Sequence, residues 1–194
     1  MIVKAAFDIA QAVRRRTERV MMRAGLRRFA RAKGGAAAVE FALVAVPFLA
    51  LLFAIIETAL VFFANQALEY AVAESSRLIL TGQAQGANLD QASFKAKVCT
   101  NVTALFDCAN KLQVNVQDYS SFAAATTTPP YDGNGQLDTS KLVYQPGGPG
   151  DIVVVSLYYE WPIYAQLLNG NLTNQNGNKR LLIATAAFRN EPYQ

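Results

Sequence analysis

An unbroken apolar run near the N-terminus dominates the pattern of hydrophobic and polar positions in this chain. From Phe41 to Ala64 there are 24 residues and a single charged side chain, Glu57. At about 1.5 Å of rise per helical residue the run would extend roughly 36 Å, which is enough to cross a hydrocarbon core of about 30 Å. The pattern therefore predicts a transmembrane helix.

The helical pattern continues beyond the apolar run, but with a different character. Residues 65–80 contain neither Gly nor Pro, and their apolar positions repeat at a spacing of three to four. Gly82 then supplies a stop signal. We therefore predict one helix over residues 36–80, with a kink at Pro47 because proline has no amide proton to donate.

The rest of the chain alternates between short regular segments and polar loops. Residues 89–106 carry apolar positions on one helical face and predict a second helix. Predicted strands, rich in alternating or β-branched residues, cover 112–117, 151–161 and 180–188. The Pro- and Gly-rich residues 120–150 predict a long mobile loop, and residues 83–88 and 169–178 predict shorter polar loops.

These segments define the expected fold class. Three strands and one short helix bury little apolar surface alone, so they should pack on the part of the long helix that leaves the membrane. We predict an α+β membrane protein with one long N-terminal transmembrane helix and a small, mainly antiparallel sheet.

The charge is divided unevenly along the chain. Residues 1–35 hold ten Lys/Arg and two Asp/Glu, a net charge of +8, whereas residues 36–194 hold eight and twelve, a net charge of −4. Basic residues before a span keep the N-terminus in the cytoplasm. Nucleic-acid binding fits less well, because the basic run adjoins a membrane span. A cleaved secretory signal is excluded, because the apolar run is too long and the small residues precede it.

Few residues offer catalytic or metal-binding chemistry. The chain contains no histidine, so the usual general base and the commonest zinc ligand are absent, and we predict no enzyme activity, cofactor or metal. Cys99 and Cys108 both lie on the predicted outer side, where an oxidising compartment makes them a disulfide candidate. The acidic and amide residues of 132–138 have calcium-loop spacing, but Leu137 and Val143 occupy the Gly and Glu positions, which favours an Asx-rich turn.

The junction between leader and apolar run contains the most specific motif. Gly35 is followed by AAAVEF and the apolar run, which resembles the processing site of type IV pilin-like proteins. More narrowly, residues 31–83 resemble the TadE-like family, pseudopilins of the tight-adherence (Flp-type) pilus, and residues 188–192 resemble that family's ending. The leader is longer than those of major Flp pilins, and Phe41 stands where they usually have tyrosine. Both departures favour a minor component over the fibre subunit.

The resemblance implies maturation. A membrane aspartyl prepilin peptidase would cut between Gly35 and Ala36, and glycine allows the close backbone approach that such an enzyme needs. Glu40 then becomes the fifth residue, and its carboxylate would pair with the amino terminus of a neighbouring subunit, with Phe41 completing the processing and assembly motif. The alternatives are that the glycines form only a hinge and that Glu40 snorkels to the interface without a partner.

The resemblance also implies a location and partners. The chain would divide into a removed leader (1–35), a transmembrane helix (36–64), a periplasmic extension (65–83) and a periplasmic α+β domain (84–194). It would cross the bacterial inner membrane once and meet the prepilin peptidase, other pseudopilins, the major pilin and the assembly platform, but no nucleic acid or small-molecule substrate. Glu57 would contact headgroups, water or another helix. The alternative function is an uncleaved single-pass anchor with a periplasmic binding or scaffold domain.

Overall fold

The computed structural model describes residues 33–102, 106–164 and 173–193; the predicted basic leader lies almost entirely outside them. The helices are α1 (Lys33–Leu80), α2 (Gln83–Gly86), α3 (Gln91–Asn101) and α4 (Cys108–Lys111). The strands are β1 (Leu112–Tyr119), β2 (Ile152–Pro162) and β3 (Lys179–Arg189), and a 3-10 turn covers Thr139–Lys141. The chain forms two compact units, Met1–Leu52 and Phe53–Gln194.

Helix α1 confirms the single long helix predicted from the sequence. It runs unbroken for 48 residues and contains Pro47; the kink at that proline stays a prediction. Among the described residues it is the one helix long and apolar enough to cross a membrane, over Gly35–Leu80. Its most apolar 18-residue window has a mean hydropathy of 2.6, and none of that window is buried within the protein. These properties fit a single membrane span.

The second unit has its own hydrophobic core, to which the C-terminal part of α1 contributes one stripe. The stripe consists of Val61, Ala64, Leu68, Ala71, Val72 and Ile79, all of them buried. The helical period brings residues at this spacing onto one face. They share one core cluster with Phe94 and Val98 of α3 and with residues of all three strands.

The sheet is antiparallel, with strand order β1-β2-β3. Alternate residues of β1 are buried, so one face of that strand points into the core. The central strand β2 is buried without interruption from Val153 to Tyr159. A continuous apolar run is what a strand covered on both faces requires. The α+β, pilin-like arrangement predicted from the sequence is therefore confirmed.

Two predicted segments differ from the structure. Helix α3 begins after Asp90, whose side chain accepts a 2.7 Å hydrogen bond from the Ser93 amide, but it ends at Asn101 rather than Phe106. Val102 already has extended backbone, and Cys99 in the last turn is bonded to Cys108, so the chain must turn back at this point. Residues 83–88 were expected to be a loop, yet they contain the single turn of α2, which follows the left-handed Gly82.

Part of the long 120–150 loop is fixed to the sheet. The Val116 amide donates to the Val143 carbonyl at 2.9 Å, and the Gln145 amide donates to the Val116 carbonyl at 2.8 Å. The intervening Tyr144 packs its ring on Phe94, with centroids 5.6 Å apart. This stretch of the loop therefore forms a short parallel bridge with β1 rather than the mobile chain expected from its composition.

Candidate functional site: the processing and assembly segment

The processing and assembly segment, residues 34–41, occupies the first turns of α1. Gly34 and Gly35 are helical, so both glycines are part of α1. Glycine destabilises a helix interior by about 1 kcal/mol relative to alanine, so the end of the helix can unwind at little cost. The first turn can thus supply the extended backbone that a peptidase needs.

Glu40 and Phe41 project from the segment into the surroundings. Phe41 is 74% exposed, and Glu40 is also exposed. Within the described part of the chain, Glu40 has no hydrogen-bond or ion-pair partner. A carboxylate at the edge of an apolar layer is costly unless it is paired or hydrated. Any partner for Glu40 must therefore come from the leader, from lipid headgroups, from water or from another molecule.

Glu57, the one charge in the apolar run, has a different environment. Its side chain is 8% exposed, and its Oε1 accepts a 2.5 Å hydrogen bond from the backbone amide of Tyr164. Glu57 therefore has a hydrogen-bond partner within its own unit, and the expected contact with headgroups, water or another helix stays a prediction. Tyr164 lies just past the end of β2, so its amide is outside the sheet ladder and can bind Glu57.

The two cysteines form the disulfide predicted from their spacing. The Sγ atoms of Cys99 and Cys108 are bonded, with their Cα atoms 5.7 Å apart. The bridge links the last turns of α3 to the start of α4. Nearby, Phe106 packs edge-on against Tyr159, with ring centroids 4.8 Å apart. The bridge therefore ties the end of α3 to the start of α4, and Phe106 packs this region against the central strand.

The candidate calcium loop is a hydrogen-bonded turn. Asp132 Oδ1 accepts 2.8 Å hydrogen bonds from the amides of Asn134 and Gln136, as in an Asx turn. Asp138 Oδ1 accepts from Ser140, and this hydrogen bond, followed by that from Lys141, lowers the pKa of Asp138. Across the described ranges, no group of three or more His, Cys, Asp or Glu side chains is placed to hold a metal ion.

A further set of contacts was not predicted, and we call it the C-terminal clasp (Asn190, Glu191 and Tyr193). Asn190 is 3% exposed and donates to the carbonyls of Pro146 and Gly148 at 2.9 and 3.0 Å. The Glu191 amide donates to the Leu80 carbonyl at 2.9 Å. The clasp joins the chain end to the end of α1. Its only sequence signal is the family-like ending of residues 188–192.

The fold and the segment together define a class of protein, an α+β domain attached to a long apolar helix whose first turns carry a glycine pair and an exposed glutamate. Residues 35–77 match the TadE-like protein family, so the chain carries a TadE-like domain. The match covers the processing and assembly segment from Gly35 onwards but not the C-terminal clasp. Comparisons with curated proteins and with solved structures gave no match. TadE-like proteins are associated with Tad pili and are generally structural proteins rather than enzymes.

Proposed function

We propose that this chain is a pseudopilin-like structural component for the assembly of a tight-adherence (Flp-type) pilus, matured by a prepilin peptidase. The observation that supports it is the coincidence of three features at one place. The TadE-like match begins at Gly35, α1 becomes apolar within a few residues, and the exposed Glu40 lies at that boundary. A plain membrane anchor has no need of a carboxylate there.

The proposed topology follows from charge. The basic leader of residues 1–35 stays in the cytoplasm, α1 crosses the inner membrane once, and the second unit lies in the periplasm. The Cys99–Cys108 disulfide supports a periplasmic location of the second unit, because disulfides persist in oxidising compartments. The chain catalyses nothing; it is the substrate of the peptidase.

The proposed role of Glu40 begins after cleavage. Ala36 then carries a new ammonium group, and the Glu40 carboxylate lies four residues further on at the edge of a low-dielectric layer. A neighbouring pseudopilin or major pilin can pair both charges at once, whereas an isolated subunit must hydrate them. Leaving one such charge without its partner costs on the order of a few kcal/mol, which changes an assembly constant by orders of magnitude.

The first test is the N-terminus of the mature protein. In cells with an active prepilin peptidase, intact mass should show a chain that starts at Ala36. It should be about 3.9 kDa lighter than the precursor, at a mean residue mass of roughly 110 Da over the leader. Gly35→Val should leave the precursor in the membrane, as should wild-type protein in cells without the peptidase. A leader that is retained when the peptidase is active would refute maturation and favour the uncleaved anchor.

The second test separates cleavage from assembly. Glu40→Ala should be inserted and at least partly cleaved, yet it should lose crosslinks to partner subunits and surface pili. Glu69→Ala is the matched control, because Glu69 is also exposed on α1 but, among the described residues, is hydrogen-bonded to Asn65 and Gln66 of its own helix. Immunoblots report processing, and crosslinking with pilus counts reports assembly. Normal pili with Glu40→Ala would show that the carboxylate has no assembly role.

A further inference from the structure

An open groove of about 370 Å³ lies at one end of the second unit, between α1 and the end of β2. It is lined by Phe53, Ile56, Glu57, Leu60, Trp161 and Tyr164. All six residues belong to the second unit. The groove is therefore a property of that unit alone.

The chemistry of the groove favours an apolar occupant. Phe53 is 60% exposed and Tyr164 is 82% exposed, so large apolar surfaces are uncovered. The one charged residue of the lining, Glu57, is buried and already accepts the Tyr164 amide. A site for a polar small molecule needs several convergent polar groups that are available for binding. This lining offers a hydrocarbon surface instead.

The position of the groove along α1 identifies the occupant. Twenty residues counted from Phe41, the first residue after the charged Glu40, end at Leu60, and about 20 helical residues cross a hydrocarbon core of about 30 Å. The exposed apolar surface of α1 continues through Ile55 and Ile56 into the groove. Tryptophan and tyrosine concentrate at the boundary between hydrocarbon and headgroups, where their rings suit both environments.

We infer that the groove is a lipid-docking surface, filled by an acyl chain of a phospholipid in the outer leaflet, with Trp161 and Tyr164 seated at the headgroup boundary. The inference rests on the proposed function in that α1 must cross the membrane. The hydrogen bond from the Tyr164 amide to Glu57 holds the β2 end against the helix, so lipid contact at the groove would hold the second unit at a fixed height on the membrane.

The chain offers a direct probe, because Trp161 is its single tryptophan. The full chain would be reconstituted in vesicles of phosphatidylethanolamine and phosphatidylglycerol that contain phosphatidylcholine brominated either near the headgroup or near the methyl end of its chains. Bromine near the headgroup should quench the tryptophan fluorescence strongly, bromine near the methyl end should quench it weakly, and aqueous acrylamide should have little access.

A matched pair of variants tests the groove itself. Tyr164→Ser keeps the backbone amide that binds Glu57 but removes the aromatic wall, so quenching by the headgroup-brominated lipid should fall and acrylamide quenching should rise. Phe122→Ser removes another exposed aromatic ring, 58% exposed, that does not line the groove. That control should leave both quenching profiles unchanged.

Insertion is measured in the same samples by resistance to carbonate extraction. A carbonate-resistant protein whose Trp161 is quenched by acrylamide and not by brominated lipid would overturn the lipid-docking surface and leave the proposed function intact. Extraction of the protein by carbonate would overturn both. Protection of Trp161 from both quenchers, with crosslinked dimers, would assign the groove to a second copy of the chain and so also overturn the inference.

Discussion

The two parts of α1, residues 35–52 in the first unit and 53–80 in the second, are both apolar helix but differ in where their side chains lie. In the first part Leu43 is 72% exposed and Val46 is 67% exposed, and apolar residues surround the axis. In the second part Leu68 and Ile79 are fully buried. The comparison teaches that hydrophobicity alone does not decide what covers a residue; the arrangement of polar residues around it does.

The polar residues of the second part show this directly. Glu69 is exposed and accepts hydrogen bonds from Asn65 and Gln66 at 2.7 and 3.0 Å, on the side away from the buried stripe. A helix with one polar face covers its apolar face with protein, whereas a helix apolar all round requires lipid or a partner helix. The first part, whose only acidic residue is Glu40, is a helix that is apolar all round.

The largest expected effect comes from making the same substitution in both parts. Leu68→Ala removes a fully buried side chain from the core of the second unit and should lower its free energy of unfolding by about 2–5 kcal/mol. Leu43→Ala, at an exposed position, should change it by less than about 0.5 kcal/mol. Urea unfolding in detergent, followed by the fluorescence of Trp161, measures both. Equal losses of unfolding free energy in the two variants would contradict the distinction between a buried second part and an exposed first part of α1.

The next effect concerns the end of the second part, where α1 stops. Gly82 has φ of 74°, and a Cβ at this position would lie 2.3 Å from the ring of Tyr193 in the C-terminal clasp. Gly82→Ala therefore combines left-handed strain with a steric clash, and we expect a loss of about 2–4 kcal/mol.

Gly86→Ala is its control. A Cβ at Gly86 meets nothing within 4 Å, so this variant should be neutral or stabilising by up to about 1 kcal/mol. Deletion of Tyr193 and Gln194 in the Gly82→Ala background should recover part of the stability, because the clash is removed. If Gly82→Ala behaves like Gly86→Ala, the clasp does not constrain the helix end.

How much of the structure could be predicted from the sequence depends on how far apart the interacting residues lie along the chain. The helix over residues 36–80, the three strands and the Cys99–Cys108 pair could be predicted, because periodicity, β-branched runs and short spacing are local signals. The Glu57–Tyr164 bond and the C-terminal clasp could not. Glu57 and Tyr164 are 107 positions apart, and the clasp joins residues that are between 42 and 111 positions apart. Such contacts depend on how the sheet packs, which no local pattern specifies.

The processing and assembly segment, unlike those long-range contacts, could be identified from the sequence. Its residues Gly35, Ala36, Glu40 and Phe41 were found from the motif alone, and the structure adds their helical backbone and exposure. A motif of adjacent residues can be recognised from sequence alone, and the processing and assembly role of this segment stays a prediction. The end of α3 at Asn101 was missed because a disulfide, rather than a helix-breaking residue, accompanies the reversal of the chain.

Glu57 provides a third, smaller test at the junction of the two parts. Glu57→Ala removes the acceptor of the Tyr164 amide, and the loss of this partly buried, charge-assisted hydrogen bond should cost about 1–3 kcal/mol. Glu57→Gln keeps a carbonyl acceptor and should lose less. Chemical unfolding of the second unit measures both variants, with Glu40→Ala as the control, since Glu40 belongs to the first unit. If Glu57→Ala is as stable as Glu40→Ala, the hydrogen bond contributes nothing to the fold.

The smallest expected effect is a dependence of stability on alkaline pH. Tyrosine titration can affect the second unit but not the first part of α1, because the first part contains no tyrosine and the second unit does. The Tyr144 hydroxyl is buried and, among the described residues, has no hydrogen-bond partner. Burial, followed by the negative charge of Asp90, raises the pKa of Tyr144 from 10.0 to about 12. Because folding raises this pKa, the titration of Tyr144 does not affect stability below pH 10, its unfolded value, and the fold loses stability as pH rises from 10 through about 12.

Tyr144→Phe keeps the ring that packs on Phe94 and removes the hydroxyl. Near neutral pH the variant should match or exceed the wild type by up to about 1 kcal/mol, because an unsatisfied buried polar group is removed. Between pH 10 and about 12 the wild type should lose more stability than the variant, although both contain Tyr158, whose pKa burial also raises. Urea unfolding across this range, with tyrosinate absorbance as the titration signal, measures the difference. Parallel alkaline losses in the two proteins would mean that Tyr144 is not shielded from water, and the loop that holds it on α3 would then not cover the core as the structure places it.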